Sequence, residues 1–295
     1  MKKFAEWMLL ASVALWGSSF ALTKPLLDHL GVFTFMGTRF MVGGILLILF
    51  LLAIKRFKLD QAQLRGGLIT GTLLFTAFVF HTYGLKYTTV AKNAFIVGSS
   101  VIFVPFVLAF LFKKRQTKSV WFSTVLAVIG LGLVTLDGTA GGVNFGDFLT
   151  LLGTLVVVFY ILTVEKYVTS SDPLGIASIQ VLTVGLLSLI PALLLESPFV
   201  DLKVGLSMPL VVGNLLVLSV GCTSVAYVLA NYAQTIVPAT RTALLYVFEP
   251  IFGALLGLIL LGEAIGLQGI VGAGLITFAT VMPQLIKQKE PNSLP

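Results

Sequence analysis

Apolar runs long enough to cross a bilayer follow one another along this chain, and the gaps between them are too short to fold. The runs are 5–23, 34–54, 67–86, 93–112, 119–136, 148–165, 175–195, 209–231, 240–261 and 265–285. A membrane-crossing helix needs about 20 apolar residues, so ten spans take roughly 200 residues. The longest polar gaps, Lys55 to Gly66 and Glu196 to Ser207, leave no room for a folded soluble domain. Charged residues are 11% of the chain and hydrophobic ones 57%, whereas a soluble protein carries about 25% charged residues to keep its surface wet. The expected fold is therefore all-α and integral to the membrane, with ten transmembrane helices. The opening Met1-Lys2-Lys3 and the apolar run behind it read as a first, uncleaved helix, because the run outlasts a signal-peptide core and more spans follow.

The net charge of +7 does not point to a nucleic-acid partner, because most of the basic residues lie in a few short linkers. With the N-terminus inside, fourteen Lys and Arg, among them Lys58, Lys114, Lys287 and Lys289, fall on the inner side. Lys24, Lys86, Lys92 and Lys203 fall outside, and Arg39 lies within a span. That bias places both termini in the cytoplasm, as expected for a multi-pass protein of a prokaryotic plasma (inner) membrane. The single cysteine, Cys222, excludes an intrachain disulfide.

The two halves resemble each other. Arg39 to Leu49 lies over Gln180 to Ile190 without gaps and matches Gly44 to Gly185; further on, Lys92-Asn-Ala94 lies over Arg241-Thr-Ala243. Each half then enters a helix interrupted by proline, at Pro105 and Pro250. A five-helix unit used twice must be upside down the second time, the architecture of many secondary transporters. The repeats are expected at 1–137 and 146–286, followed by a polar cytoplasmic tail at 287–295.

Leu15-Trp-Gly-Ser-Ser-Phe20, Gly84-Leu-Lys-Tyr-Thr-Thr89, Phe103-Val-Pro-Phe106, Phe248-Glu-Pro250 and Leu261-Gly-Glu263 occur in an order that resembles the drug/metabolite transporter superfamily, in its EamA-like branch. The resemblance covers nearly the whole chain. It implies ten helices in two inverted repeats and the export or exchange of small metabolites, often amino acids. Lys113-Lys114-Arg115 stands where the second half has Leu261-Gly262-Glu263, so the halves differ there.

The residues themselves mark candidate positions. Glu249 lies about ten residues into the ninth run, roughly 15 Å deep at 1.5 Å per residue. An ionised carboxylate there costs at least ~2.5–3.5 kcal/mol, so it must be neutral, paired or facing a wet cavity. It is a candidate for substrate contact or proton coupling; a protonated side chain bonded to a neighbouring helix is the plainer alternative. Pro250 crowds the carbonyl of Tyr246, and Pro105 that of Val101, each leaving a backbone acceptor free. Either is an ordinary kink alone; together they suggest broken helices lining a site.

Polar residues recur at steps of three or four: Ser12, Trp16, Ser19 and Thr23 in the first run, Asn93 and Ser100 in the fourth. The same spacing joins Ser219, Thr223, Tyr227, Asn231 and Gln234 in the eighth, and Thr242, Tyr246, Glu249 and Gly253 in the ninth. Such stripes also serve as interhelical glue at about 0.6 kcal/mol per bond; their convergence is what suggests a pathway. Trp16, Tyr83, Tyr160, Tyr227 and Tyr246 can wall a cavity by stacking, cation–π contact or hydroxyl hydrogen bonds. Arg39 has the reach to snorkel to the outer interface, or else anchors a substrate anion. His81 is the weaker candidate for a proton relay.

No HExxH, paired-Cys, GxSxG or phosphate-loop pattern supports an enzyme, and no cofactor or metal is called for. The expected function is a secondary transporter, an exporter of small metabolites such as amino acids, working by alternating access as a monomer or a homodimer. Its partners are the lipid bilayer, a small-molecule substrate and, with proton coupling, protons. A passive channel or a membrane-embedded structural or enzymatic subunit is the alternative.

Overall fold

A computed structural model describes residues 2–56, 60–113, 115–135, 142–246 and 248–285. Lys58, Lys114, the junction at 136–141 and the tail from Lys287 to Pro295 lie outside the described residues. Within them all regular structure is helical. Helix α1 (Lys2–Thr23) passes through a short 3-10 turn (Lys24–Asp28) to α2 (Val32–Ala53), α3 (Gln61–Tyr87), α4 (Val90–Gly98), α5 (Ser100–Phe110) and α6 (Lys118–Thr135). The chain continues through α7 (Phe145–Val168), α8 (Pro173–Leu195), a short α9 (Pro198–Gly205) and α10 (Pro209–Leu216). A π-helical segment (Val217–Val225) leads into α11 (Ala226–Gln234), α12 (Ala239–Tyr246), α13 (Glu249–Leu261) and α14 (Leu267–Leu285).

Seven stretches among the described residues are long and apolar enough to cross a membrane by themselves, α4–α5 and α10–α11 each counting as one. Trp121–Leu133, Glu249–Leu261 and Leu267–Ala279 are shorter apolar helices. Large apolar side chains point outward along many of them, including Leu46, Phe122, Leu194 and Ile259. So much exposed hydrocarbon belongs against lipid rather than water.

Helix starts are set by side chains that accept otherwise unpaired amides. Asp60 accepts from Gln63 N, Thr89 from Lys92 N and Asp172 from Gly175 N, while Asn144 and Asp147 form a reciprocal capping box at α7. The bundle is woven crosswise. Helix α3 packs on α7 and α8, α2 on α8 and the π segment, α1 on α11 and α13, α4 on α13, and α6 on α14. Early helices thus bury their faces mainly against late ones.

The α4–α13 contact is antiparallel. Gly257 lies against Val90, Gly253 against Ala94, and Gly98 against the ring of Pro250. At Gly98 a Cβ would overlap the Pro250 ring, so only glycine admits this crossing.

Candidate functional site

Two helices are interrupted where they cross. Helix α4 ends at Gly98 and α5 resumes at Ser100; α12 ends at Tyr246 and α13 begins at Glu249. Gly17 of α1 closes on the same point, where a Cβ would stand 2.7 Å from the carbonyl oxygen of Glu249. Three backbones therefore meet around Glu249, which occupies the first turn of α13, the end of a helix that favours negative charge.

Beside this junction lies a buried cavity of about 90 Å³ measured to water centres, room for several water-sized groups. Of the residues singled out from sequence, Trp16, Ser19, Arg39, His81, Ser100, Tyr160, Tyr227, Tyr246 and Glu249 line it. Tyr83, Asn231, Pro105 and Pro250 do not. Tyr83 instead packs edge-on against Phe33, with ring centroids 5.7 Å apart. Asn231 stands behind the wall: it donates to Gln180 Oε1 at 3.4 Å, and Gln180 donates to the Tyr160 hydroxyl at 3.1 Å.

One wall is aromatic. Trp16 meets Tyr246 edge-on at 5.3 Å and Tyr227 at 5.1 Å, and its indole N–H donates to the carbonyl of Cys222 at 3.1 Å. That carbonyl belongs to the π segment, a feature frequent at functional sites. Several polar atoms at the cavity remain unpaired among the described residues: the Tyr246 hydroxyl, His81 Nε2 and Asn93 Oδ1. Buried polar atoms are nearly always bonded, so such a cluster calls for water or a ligand.

Arg39 corrects the snorkelling expectation. It is 1% exposed and turns inward, because Thr223 Oγ1 accepts from its Nε at 2.8 Å and Cys222 O from its Nη2 at 3.4 Å. The rings of Phe40 and Phe78 face the guanidinium at 5.2 and 5.4 Å, a favourable place for a desolvated cation. The only ion pairs among the described residues are Lys92–Asp147 and Arg241–Glu6. Arg39 and Glu249 thus share a cavity, each without an ionic partner among them.

Pro105 is a second correction. It lies inside a continuous α5, and the interruption comes at Ser99. There the Ile96 carbonyl is served by the hydroxyls of Ser99 at 2.6 Å and Thr154 at 3.2 Å, so a break costs little. Pro250 does follow a break, but sits in the first turn of α13, where its missing N–H is not needed.

Sequence reasoning left Phe35, Phe78, Thr82 and Val157 out of the cavity wall. Among 23 phenylalanines nothing in the sequence sets Phe35 and Phe78 apart. Asn93 and Thr23 stood in the polar stripes, which was their only signal.

Two successive segments, 3–136 and 144–282, match the model of the EamA-like transporter family. An uncharacterized transporter of Archaeoglobus fulgidus is 28% identical over 277 residues, covering 94% of this chain and 84% of its own. The Escherichia coli K12 uncharacterized inner membrane transporter YedA is 27% identical over 293 residues, covering 96% and 91%. The Bacillus subtilis uncharacterized transporter YetK is 24% identical over 300 residues, covering 97% and 88%. One crystal structure matches at a TM-score of 0.72 with 18% identity, over 98% of this chain and 99% of that one, and so shares the fold.

Proposed function

Because this chain belongs to the EamA-like transporter family, whose members are embedded in membranes, we propose that it is a secondary transporter exporting small amphipathic metabolites such as amino acids. In this reading ten spans form two inverted five-helix repeats with both termini cytoplasmic, and rocking of the halves exposes the cavity to each side in turn. The observation that carries it is an arginine and a glutamate at one cavity, Arg39 and Glu249, neither with an ionic partner among the described residues. A buried charge without a counter-ion is costly; a substrate carboxylate would offset that of Arg39, and its ammonium would favour the ionised form of Glu249. Arg39 has free N–H groups for a carboxylate. Glu249 would accept an ammonium, or exchange a proton when the site is empty. The aliphatic part would pack against the aromatic wall formed by Trp16 and Tyr246.

The test is a thermal-shift screen of purified protein against amino acids and related metabolites. A ligand at a hundred times its Kd stabilises the folded state by about 2.7 kcal/mol. The expected result is a stabilising hit whose effect is lost in Arg39→Gln and Tyr246→Ala. No hit, or a hit indifferent to both substitutions, would contradict this site.

A further inference from the structure

The transporter reading leaves two features unused, the ion pairs at the ends of the broken helices. At one end Lys92 Nζ meets Asp147 Oδ2 at 2.6 Å, with side chains 1% and 4% exposed. Thr88 donates to the other oxygen of Asp147 at 2.6 Å, and Lys92 also reaches the carbonyl of Gly142. Glu263 accepts from the Val90 and Ala91 amides at the start of α4 at 2.9 and 3.2 Å. At the other end Arg241 Nε meets Glu6 Oε1 at 3.0 Å, and the pair is 34% and 23% exposed. Glu165 accepts from the Ala239 amide at the start of α12 at 3.0 Å. A recess of about 750 Å³, lined by Leu108, Phe112, Arg115, Glu165 and Ala239 among others, adjoins that end.

The two pairs occupy equivalent places. The register that lays Arg39 over Gln180 lays Glu6 over Asp147, and the one that lays Lys92 over Arg241 lays Val90 over Ala239. The family-matched segments begin at 3 and 144, so both acids stand three residues in. Each pair ties the first helix of one half to the broken helix of the other. Because α4 and α13 run antiparallel past Gly98 and Pro250, the two pairs lie at opposite ends of that crossing. At 1.5 Å per residue they are on the order of 20 Å apart, and the crossing that separates them borders the cavity.

We propose that Lys92–Asp147 and Arg241–Glu6 are the two closures of the transport pathway, outer and inner, loosening in alternation as the broken helices tilt. The inference rests on the transporter reading for its purpose. In the structure the outer closure is sequestered and further bonded to Thr88 and Gly142, while the inner one is partly exposed to solvent. This is a pathway shut outside and ready to open inside. A tilt about the Gly98–Pro250 contact moves the two ends in opposite senses, so one pair relaxes as the other tightens.

The test is hydrogen–deuterium exchange of the full chain in lipid nanodiscs without any added ligand, read at residues 90–98 and 239–246. Arg241→Ala removes a partly exposed pair, a change that shifts equilibria by about two- to five-fold. Exchange in 239–246 should rise by about that factor while exchange in 90–98 falls. The joint substitution Lys92→Met with Asp147→Asn should do the reverse. Charge exchange, Glu6→Arg with Arg241→Glu, should restore the wild-type pattern. A rise confined to the altered end, a rise at both ends, or no rescue by the charge exchange would overturn the proposal. Should the buried double substitution fail to fold, the two readings of Arg241→Ala still decide. Neither readout depends on a substrate. A binding hit with purely local exchange effects removes the closures and keeps the transporter, and reciprocal exchange without a hit does the opposite.

Discussion

Arg39 shows what a single residue contributes when the bundle, rather than the bilayer, is its solvent. Its guanidinium uses one edge on Thr223 and Cys222 and leaves the rest to the cavity. Lysine keeps the charge but not the fork, so Arg39→Lys should weaken binding of a carboxylate-bearing hit roughly ten- to hundred-fold, the equivalent of a charged hydrogen bond. Titration calorimetry checks this, and an unchanged Kd would count against the anchor role. For Glu249 the prediction concerns protons: proteoliposome uptake should lose its pH dependence in Glu249→Gln and keep it in Tyr83→Phe, since Tyr83 lies off the cavity. Normal uptake with an unaltered pH profile in Glu249→Gln would end the coupling idea. Most of these residues were legible because a Glu, an Arg or a Tyr deep in an apolar run has few bland explanations. Asn231 shares the α11 face of Tyr227 one turn further along, but there that face is covered by α8, and Asn231 meets Gln180 rather than the cavity.

Helix boundaries follow the sequence closely because bilayer thickness sets their length: 175–195 became Pro173–Leu195, and 148–165 became Phe145–Val168. Interruptions followed it less well. A proline is the only break a sequence displays, yet the first-half break sits at Ser99, where two hydroxyls serve the freed carbonyl. Helix α9 was read as plain linker because eight residues are too few for a periodic pattern. The crossing of the broken helices gives the prediction at this scale. A methyl at Gly98 meets the Pro250 ring, so Gly98→Ala should cost about 1–3 kcal/mol, the usual penalty for overpacking, and lower the Tm in detergent. Gly213→Ala has nothing within 4 Å of its added carbon and should be neutral or slightly stabilising. Equal Tm values for the two would show that the crossing yields more easily than its geometry implies.

At the scale of the whole molecule, the halves hold each other in place: α1 lies on α13, α7 on α4, and α6 on α14. Self-similarity between halves was visible as a gapless register around Gly44 and Gly185. Their crosswise packing was not, since contacts between distant segments leave no local trace in an apolar sequence. In the proposed transport cycle substrate passes through the cavity at the crossing of the two halves. Counterflow in proteoliposomes tests this most directly, using radiolabelled substrate identified by thermal shift and the same compound, unlabelled, inside. Wild type should show saturable uptake accelerated by the internal compound, and Arg39→Gln none. Uptake that rises linearly with concentration and ignores the internal compound, or that survives Arg39→Gln unchanged, would contradict it.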